Sequence, residues 1–234
     1  MNTRETAILA GKSINIDVYQ EAGTSPTSAV VVAYGTEGMN PPFNSLIEEF
    51  CEATAKAGYL TILPHYFDST GTRAGLTGVT SHLNRSGEWI DTLAASVDWV
   101  KSKKINGGKV AFVGFSLGAN IVLNAGLKSG VSVIVDYFGP VEKFGILPMP
   151  NVMGLTKQRV QGMPPTLIHH GTKDFIVPDS QSAILKGWLD AHGIECEYVN
   201  DYDCGHPGQP ELPWTAGAQT SSISRTATFF QSYI

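Results

Sequence analysis

Short runs of apolar residues alternate along this chain with longer segments whose apolar residues recur at helical spacing. Ala29–Ala33 is a run of the first kind and residues 109–113 form another, whereas residues 43–57 repeat apolar side chains every three or four positions. Uninterrupted apolar runs are typical of strands in a sheet that is covered on both faces. Because strands alternate with helices, the pattern predicts an α/β fold, with a mostly parallel central sheet and helices on both of its faces.

The rest of the chain continues this alternation. Further strands are predicted at residues 13–19, 59–63, 131–135, 165–169 and 194–199, and further helices at residues 86–104, 117–128, 178–191 and 218–233. No linker or internal repeat divides the 234 residues, so a single domain over residues 1–234 is expected. Ligands bind such sheets beyond the carboxyl ends of the strands, and the loops there are the place to look for chemistry.

Composition excludes several classes of partner. The formal net charge is −5 and the Lys and Arg residues are scattered, so nucleic acid is not an expected partner. No stretch approaches the roughly 18 consecutive apolar residues of a membrane span, and the N-terminal residues lack the pattern of a secretory signal. The three cysteines are too few for a disulfide framework. We therefore expect a cytoplasmic protein, monomeric or homodimeric, with no membrane partner.

A Gly-x-Ser-x-Gly motif follows directly after the predicted strand 109–113. Residues 114–118 read Gly-Phe-Ser-Leu-Gly and lead into a predicted helix, which is the strand-to-helix context that a nucleophilic serine requires. Ser116 would project its hydroxyl from this sharp turn, and the N–H of Leu117 at the start of the helix would donate to an oxyanion. An incidental serine in a glycine-flanked turn is the competing interpretation.

A serine nucleophile needs a histidine base and an acid, which follow it in the chain order Ser, Asp or Glu, His. Asp174 lies just past one predicted strand, and His206 lies in a glycine-flanked loop after the next. Asp136, at the end of strand 131–135, is the competing acid. A metal site is an alternative for the segment around His206, with the ligand types of Asp201, Asp203, Cys204 and His206, but a second clustered set of ligands is missing and no metal is predicted.

The loop after Ala29–Ala33 is expected to supply the second oxyanion donor, the N–H of Thr36. The substrate pocket is expected between the loops that follow the strands, notably 66–85 and 138–163, of which the second is rich in apolar residues. The predicted substrate contacts in these loops are Gly35, Glu37, Tyr66, Tyr137, Phe144, Leu147 and Met149.

The segments that carry chemistry resemble those of the dienelactone hydrolase family, part of the α/β-hydrolase superfamily. They are Gly-Phe-Ser-Leu-Gly at 114–118, His-Gly-Thr-Lys-Asp-Phe-Ile-Val-Pro at 170–178 and Gly-His-Pro-Gly at 205–208, and the likeness covers nearly the whole chain from about Ala29. The resemblance implies an α/β-hydrolase fold without a large separate cap domain. It also implies a triad of Ser116, Asp174 and His206 that hydrolyses small-molecule esters or lactones.

Three departures from the family pattern bear on the substrate. Family members that open dienelactone have a cysteine nucleophile where this chain has Ser116, and a glutamate where it has Gly35. They also bind the substrate carboxylate with arginines, for which residues 64–67 and 207–210 offer no counterpart; Arg73 lies farther along the first loop. In these respects the chain is more similar to the serine carboxylesterases of the superfamily.

The predicted mechanism is acyl transfer in two steps through an acyl-enzyme on Ser116, for which no metal or organic cofactor is needed. A thioesterase or a peptidase would use the same triad, and a hydrolase-fold binding protein without catalysis is a further alternative. A dehalogenase is disfavoured because its nucleophile would be an aspartate at this position.

Overall fold

One eight-stranded sheet forms the centre of the protein in the computed structural model, which describes residues 2–105, 108–144, 147–148 and 153–234. Its strands are β1 (Asn2–Leu9), β2 (Lys12–Tyr19), β3 (Ala29–Ala33), β4 (Leu60–Pro64), β5 (Val110–Phe115), β6 (Val133–Tyr137), β9 (Thr166–Gly171) and β10 (Cys196–Tyr202). A separate pair, β7 (Lys143–Phe144) and β8 (Leu147–Pro148), lies in the loop after β6. The order across the sheet is β1-β2-β4-β3-β5-β6-β9-β10. Within this sheet β4, β3, β5, β6, β9 and β10 pair in parallel, whereas β2 pairs antiparallel with both β1 and β4.

Helices cover the sheet on both sides. They are α1 (Phe43–Lys56), α2 (Leu76–Thr80), α3 (Ser86–Lys103), α4 (Leu117–Ser129), α5 (Ser180–Ala191) and α6 (Ala216–Tyr233). Helix α3 packs against α4, while α1 contacts α6 and α5 packs on β10. Every residue of β3, β5, β6 and β9 is buried, as expected for apolar strands between two helical layers. The predicted α/β fold, with a mostly parallel sheet covered by helices on both faces, is confirmed.

The hairpin of β1 and β2 extends the sheet at one edge. The two strands are joined at Ala10 and Gly11, both of which have a positive φ, as a tight turn between twisted strands requires. The sequence analysis predicted β2 but missed β1, whose residues are mostly exposed and polar. An edge strand has one partner and little buried surface, so its sequence lacks the apolar run that marked the central strands.

Two features of the fold position a site. The strands β3, β5, β6, β9 and β10 run parallel, so the loops after their carboxyl ends meet at one edge of the sheet. Before α3, the chain forms α2 and two short 3₁₀ turns, Tyr66–Ser69 and Leu83–Arg85, which the sequence analysis treated as loop. Among the described residues, no helix is both long and apolar enough to cross a membrane.

Candidate active site

Ser116 occupies the sharp turn between β5 and α4. Its φ is 54° and its ψ is −119°, a conformation that residues other than glycine rarely adopt. A hydrogen bond of 2.9 Å from the Ser116 N–H to the Tyr137 carbonyl ties the turn to the end of β6. A Cβ on Gly118 would collide with the carbonyl oxygens of Ala33 and Tyr34, so the close contact of α4 with the end of β3 requires glycine there.

The three residues predicted as a triad lie in one chain of hydrogen bonds. His206 Nε2 is 3.0 Å from Ser116 Oγ, and His206 Nδ1 is 2.6 Å from Asp174 Oδ2. The other carboxylate oxygen, Oδ1, accepts hydrogen bonds of 2.9 and 2.8 Å from the N–H groups of Ile176 and Val177. Because an ionised carboxylate only accepts, the proton of neutral His206 resides on Nδ1 and leaves Nε2 to accept from the serine hydroxyl.

Asp174 is held in its ionised form. Burial alone would raise its pKa, but hydrogen bonds from His170 and His206, the electrostatic effect of the His206 ring and the Val177 N–H outweigh burial and lower the pKa to about 2. His170 is fully buried behind the carboxylate, with Nε2 3.4 Å from Asp174 Oδ2. Its ring is fixed by Ser182 Oγ at 2.6 Å from Nδ1 and by the Val177 carbonyl at 2.8 Å from Nε2. The sequence analysis missed this supporting histidine.

Asp136, the competing acid, is not the partner of His206. It is fully buried at the end of β6, where Oδ1 accepts a hydrogen bond of 2.8 Å from the Gly139 N–H. Its other oxygen has no hydrogen-bond partner among the described residues. Burial raises the pKa of Asp136 to about 6, against the opposing effects of His170 and the Gly139 N–H. The alternative prediction, in which Asp136 orients His206, is therefore wrong.

The loop after β3 lies against the serine. A turn is closed by a hydrogen bond of 3.0 Å from the Gly38 N–H to the Gly35 carbonyl, with Thr36 and Glu37 at its centre. A Cβ on Gly35 would lie 3.2 Å from Ser116 Cβ, so the turn is in contact with the nucleophile. In the described part of the chain, no backbone carbonyl accepts from the N–H of Thr36 or of Leu117. Both of these N–H groups therefore lie near Ser116 without a backbone partner among the described residues.

A cavity of about 510 Å³ opens beside the hydroxyl of Ser116. Its lining comes from the turn after β3, from α1 and α2, and from the loops that carry Phe138, Ile176 and His206. The lining residues are Gly35, Thr36, Glu37, Gly38, Phe43, Leu46, Ile47, Leu76, Thr80, Phe115, Ser116, Phe138, Ile176, His206, Pro207 and Gly208. The helical spacing in residues 43–57 predicted α1 but gave no sign that it lines the cavity, and α2 was not predicted.

Two predicted substrate contacts lie elsewhere. Tyr66 and Tyr137 are fully buried and do not line the cavity. The hydroxyl of Tyr66 donates to the Tyr34 carbonyl at 2.8 Å, and that of Tyr137 is 3.0 Å from Thr226 Oγ1 on α6. Both residues lie at or just after the end of a strand, but the ring of Tyr66 stacks on Tyr34 and the hydroxyl of Tyr137 faces α6. Gly35 and Glu37 line the cavity as predicted.

The remaining predicted contacts come from the loop after β6. Met149 lies outside the described residues, and so do the side chains of Phe144 and Leu147. Of the described residues in 138–163, Phe138 lines the cavity, whereas Met153 and Leu155 are part of the core.

The acidic residues of the metal alternative have other partners. Asp201 Oδ2 pairs with Arg225 at 2.6 Å, and Asp203 lies 3.6 Å from Lys173. Within the part of the chain that the structure describes, no three His, Cys, Asp or Glu side chains group as metal ligands would. His206 faces Ser116 and Asp174 instead.

The fold and the arrangement of serine, histidine and aspartate define an α/β-hydrolase. The sequence model of the dienelactone hydrolase family matches residues 16–234, and the chain belongs to that family. The resemblance predicted from the motifs is confirmed, and a carboxylic ester hydrolase is the class of enzyme that the family supports. A search of curated protein sequences finds no match.

Solved structures agree on the fold. A Klebsiella pneumoniae protein assigned to the dienelactone hydrolases superposes with a TM-score of 0.80 at 16% identity, over 100% of this chain and 99% of the other. A dienelactone hydrolase-like promiscuous phosphotriesterase from metagenomic libraries gives 0.76 at 18% identity, over 100% and 99%. An esterase from Rhizomucor miehei gives 0.76 at 14% identity, over 99% and 83%. At such identities the likeness shows the fold alone.

Proposed function

We propose that this protein is a serine hydrolase that cleaves carboxylic esters or lactones of small molecules through an acyl-enzyme on Ser116. The observation that carries the proposal is the chain of hydrogen bonds from Ser116 through His206 to Asp174, at the wall of a cavity of about 510 Å³. Family membership and the esterases among the structural neighbours support the same class of reaction.

The first half of the proposed reaction forms the acyl-enzyme. His206 Nε2 takes the proton of Ser116 Oγ as that oxygen attacks the ester carbonyl carbon. The carbonyl oxygen becomes an oxyanion, which the N–H groups of Leu117 and Thr36 stabilise. The imidazolium of His206 then gives its proton to the alkoxide that leaves, and the acyl group stays on Ser116. Ionised Asp174 stabilises the imidazolium, and its lowered pKa keeps that charge available.

The second half releases the acid. Water enters where the alcohol left, His206 removes a proton from it, and the hydroxide attacks the acyl carbonyl. Collapse of the second tetrahedral intermediate breaks the bond to Ser116 Oγ, which recovers its proton from His206. These steps need no cofactor. A cytoplasmic location and a monomeric or homodimeric state stay predictions of the sequence.

The test compares hydrolysis of a short and a medium p-nitrophenyl ester by the wild type, Ser116→Ala and Ser96→Ala. Ser96 is a matched control, because it is buried in α3 and its hydroxyl donates to the Leu93 carbonyl. We expect Ser116→Ala to lose about a thousandfold or more in kcat/KM, the order expected for a missing triad nucleophile. We expect Ser96→Ala to stay active. A Ser116→Ala variant that is folded and fully active would overturn the proposal.

Ester, thioester and amide forms of one acyl group separate the alternatives that share the triad. The proposal predicts the highest kcat/KM for the ester. A clear preference for the thioester or the amide would reassign the enzyme to thioesterases or peptidases and leave the role of Ser116 intact.

A further inference from the structure

The described side chains that line the cavity beside Ser116 include an acidic residue and no basic Lys or Arg. Among its described lining residues, Glu37 is the carboxylate and none is Lys or Arg. Most of the remaining surface is apolar, and its main contributors are Phe43, Leu46, Ile47, Leu76, Phe138 and Ile176. Of the lining residues that the structure describes, the other ionisable side chain is that of His206, which is hydrogen-bonded to Ser116 and Asp174.

Glu37 lies beside the nucleophile in a turn that backbone hydrogen bonds hold in place. The Gly38 N–H bonds to the Gly35 carbonyl, and the Gly75 N–H donates to the Thr36 carbonyl at 2.8 Å. A Cβ on Gly75 would lie 3.8 Å from Glu37 Oε2, which locates the carboxylate between the turn and the start of α2. The turn that supplies the oxyanion donor Thr36 therefore also fixes a negative charge one residue further on.

No protein cation neutralises this carboxylate in the part of the chain that the structure describes. Among the described residues, Glu37 forms no ion pair. Arg73 lies in the adjacent loop, but it is exposed and makes no ion pair with Glu37. Arg85, farther along, is paired with Glu88 at 2.8 Å. Glu37 thus lines the cavity without an ion-pair partner among the described residues.

Resting on the proposed ester hydrolysis, we infer that the site selects esters with an apolar body and a cationic group, such as an ammonium, and that Glu37 binds that group. A fixed carboxylate attracts a cation and repels an anion, and apolar walls that displace water strengthen both effects. The same charge disfavours esters that carry a carboxylate. This preference is opposite to that of relatives that bind a substrate carboxylate with arginines.

The test uses three acetate esters of nearly equal shape. They are the ester of choline, the ester of the neutral alcohol with a tert-butyl group in place of trimethylammonium, and the ester of an alcohol of the same length that ends in a carboxylate. The values of kcat/KM are measured by acid release for the wild type, Glu37→Gln, Glu37→Lys and Glu49→Gln. Glu49 is the matched control, because it is an exposed glutamate of α1 that does not line the cavity.

We expect the wild type to prefer the choline ester over its neutral isostere by about fivefold or more, the effect of one carboxylate about 4 Å away in a solvated site. The preference should fall to near unity in Glu37→Gln, reverse towards the carboxylate ester in Glu37→Lys and persist in Glu49→Gln. Salt should weaken it in the wild type.

The outcomes separate this inference from the proposed function. One outcome is that the neutral ester is hydrolysed in a Ser116-dependent reaction while Glu37→Gln leaves the charge preference unchanged. That result would overturn the inference about Glu37 and would leave the proposed serine hydrolase activity intact. If the wild type cleaves p-nitrophenyl esters but none of the three acetates, the inference is overturned and the proposed function stands; a wild type that cleaves no ester of either set would overturn both.

Discussion

Ser116 combines a reactive side chain with a strained backbone. Its φ of 54° costs free energy in a residue with a Cβ, whereas glycine adopts this conformation readily. We therefore expect Ser116→Gly to unfold at a higher temperature than Ser116→Ala, by a stability difference of about 1 kcal/mol, while both lack activity. Thermal unfolding of the two variants measures the difference. Equal or lower stability of the glycine variant would show that the turn is unstrained.

Thr36 provides a second test at the level of one residue. Its Oγ1 is buried and has no hydrogen-bond partner among the residues that the structure describes, which destabilises the folded state. Replacing it by isosteric valine should raise the free energy of unfolding by about 1 kcal/mol. Activity should change little, because the proposed oxyanion donor is the backbone N–H.

The matched control is Thr54→Val. Thr54 Oγ1 lies 2.8 Å from Thr61 Oγ1 and 3.0 Å from the Phe50 carbonyl, so its loss should destabilise the protein by about 1–2 kcal/mol. A large loss of kcat in Thr36→Val would instead assign the hydroxyl of Thr36 to the reaction.

Asp136 predicts a specific pH dependence of stability. Burial raises its pKa to about 6, so between the ordinary value of about 4 and pH 6 the folded protein binds more protons than the unfolded chain. The stabilisation from the protonated form is fully present below about pH 4 and is lost as the pH rises through about 6. Asp136→Asn lacks this titration. Its stability relative to the wild type should therefore increase by about 1–3 kcal/mol between about pH 4 and 7.

Denaturant unfolding at several pH values measures this difference. The titration of Asp174 does not affect the comparison between about pH 4 and 7. Its pKa is lowered to about 2, so the stabilisation from its ionised form is present above about pH 4 and is lost only as the pH falls towards 2. A difference between Asp136→Asn and the wild type that stays constant from about pH 4 to 7 would contradict the buried, partly unpaired state of Asp136.

At the scale of the elements, the strongest sequence signals came from buried strands. The apolar runs of β3, β5 and β9 identified them, because both faces of each strand are covered. The segment 66–85 had no such signal. Its turns are stabilised by distant contacts, such as the bond of 2.7 Å from Trp89 Nε1 to Thr70 Oγ1, and these are not visible in local sequence.

The turn that carries Ser116 depends on the close contact between α4 and β3. Gly118→Ala should destabilise the protein by several kcal/mol, on the order of a severe overpacking change, because the new Cβ meets the backbone of Ala33 and Tyr34. Gly187→Ala in α5 is the control: a Cβ there meets nothing within 4 Å and should stabilise the helix by about 0.5–1 kcal/mol. Denaturant unfolding of both variants tests the pair. Similar effects would mean that α4 can shift away from β3.

At the scale of the whole molecule, the site is assembled from loops that are far apart in the sequence. Chain order and strand-end position were enough to predict Ser116, Asp174 and His206, which the structure brings together. The same two criteria wrongly predicted that Tyr66 and Tyr137 contact the substrate, because a strand-end position does not specify the face to which a side chain points. Nor did they indicate that α1 and α2 contribute cavity walls, which depends on how helices pack over the sheet edge.

The central claim is that Ser116 is a nucleophile activated by His206. The most direct measurement is the mass increase of the intact protein with a serine-directed fluorophosphonate, followed by peptide mapping of the adduct. We expect a single adduct on the peptide that contains Ser116, its absence in Ser116→Ala, and much slower labelling in His206→Ala. An unlabelled wild-type protein, or an adduct on another residue that persists in Ser116→Ala, would show that Ser116 is not this nucleophile.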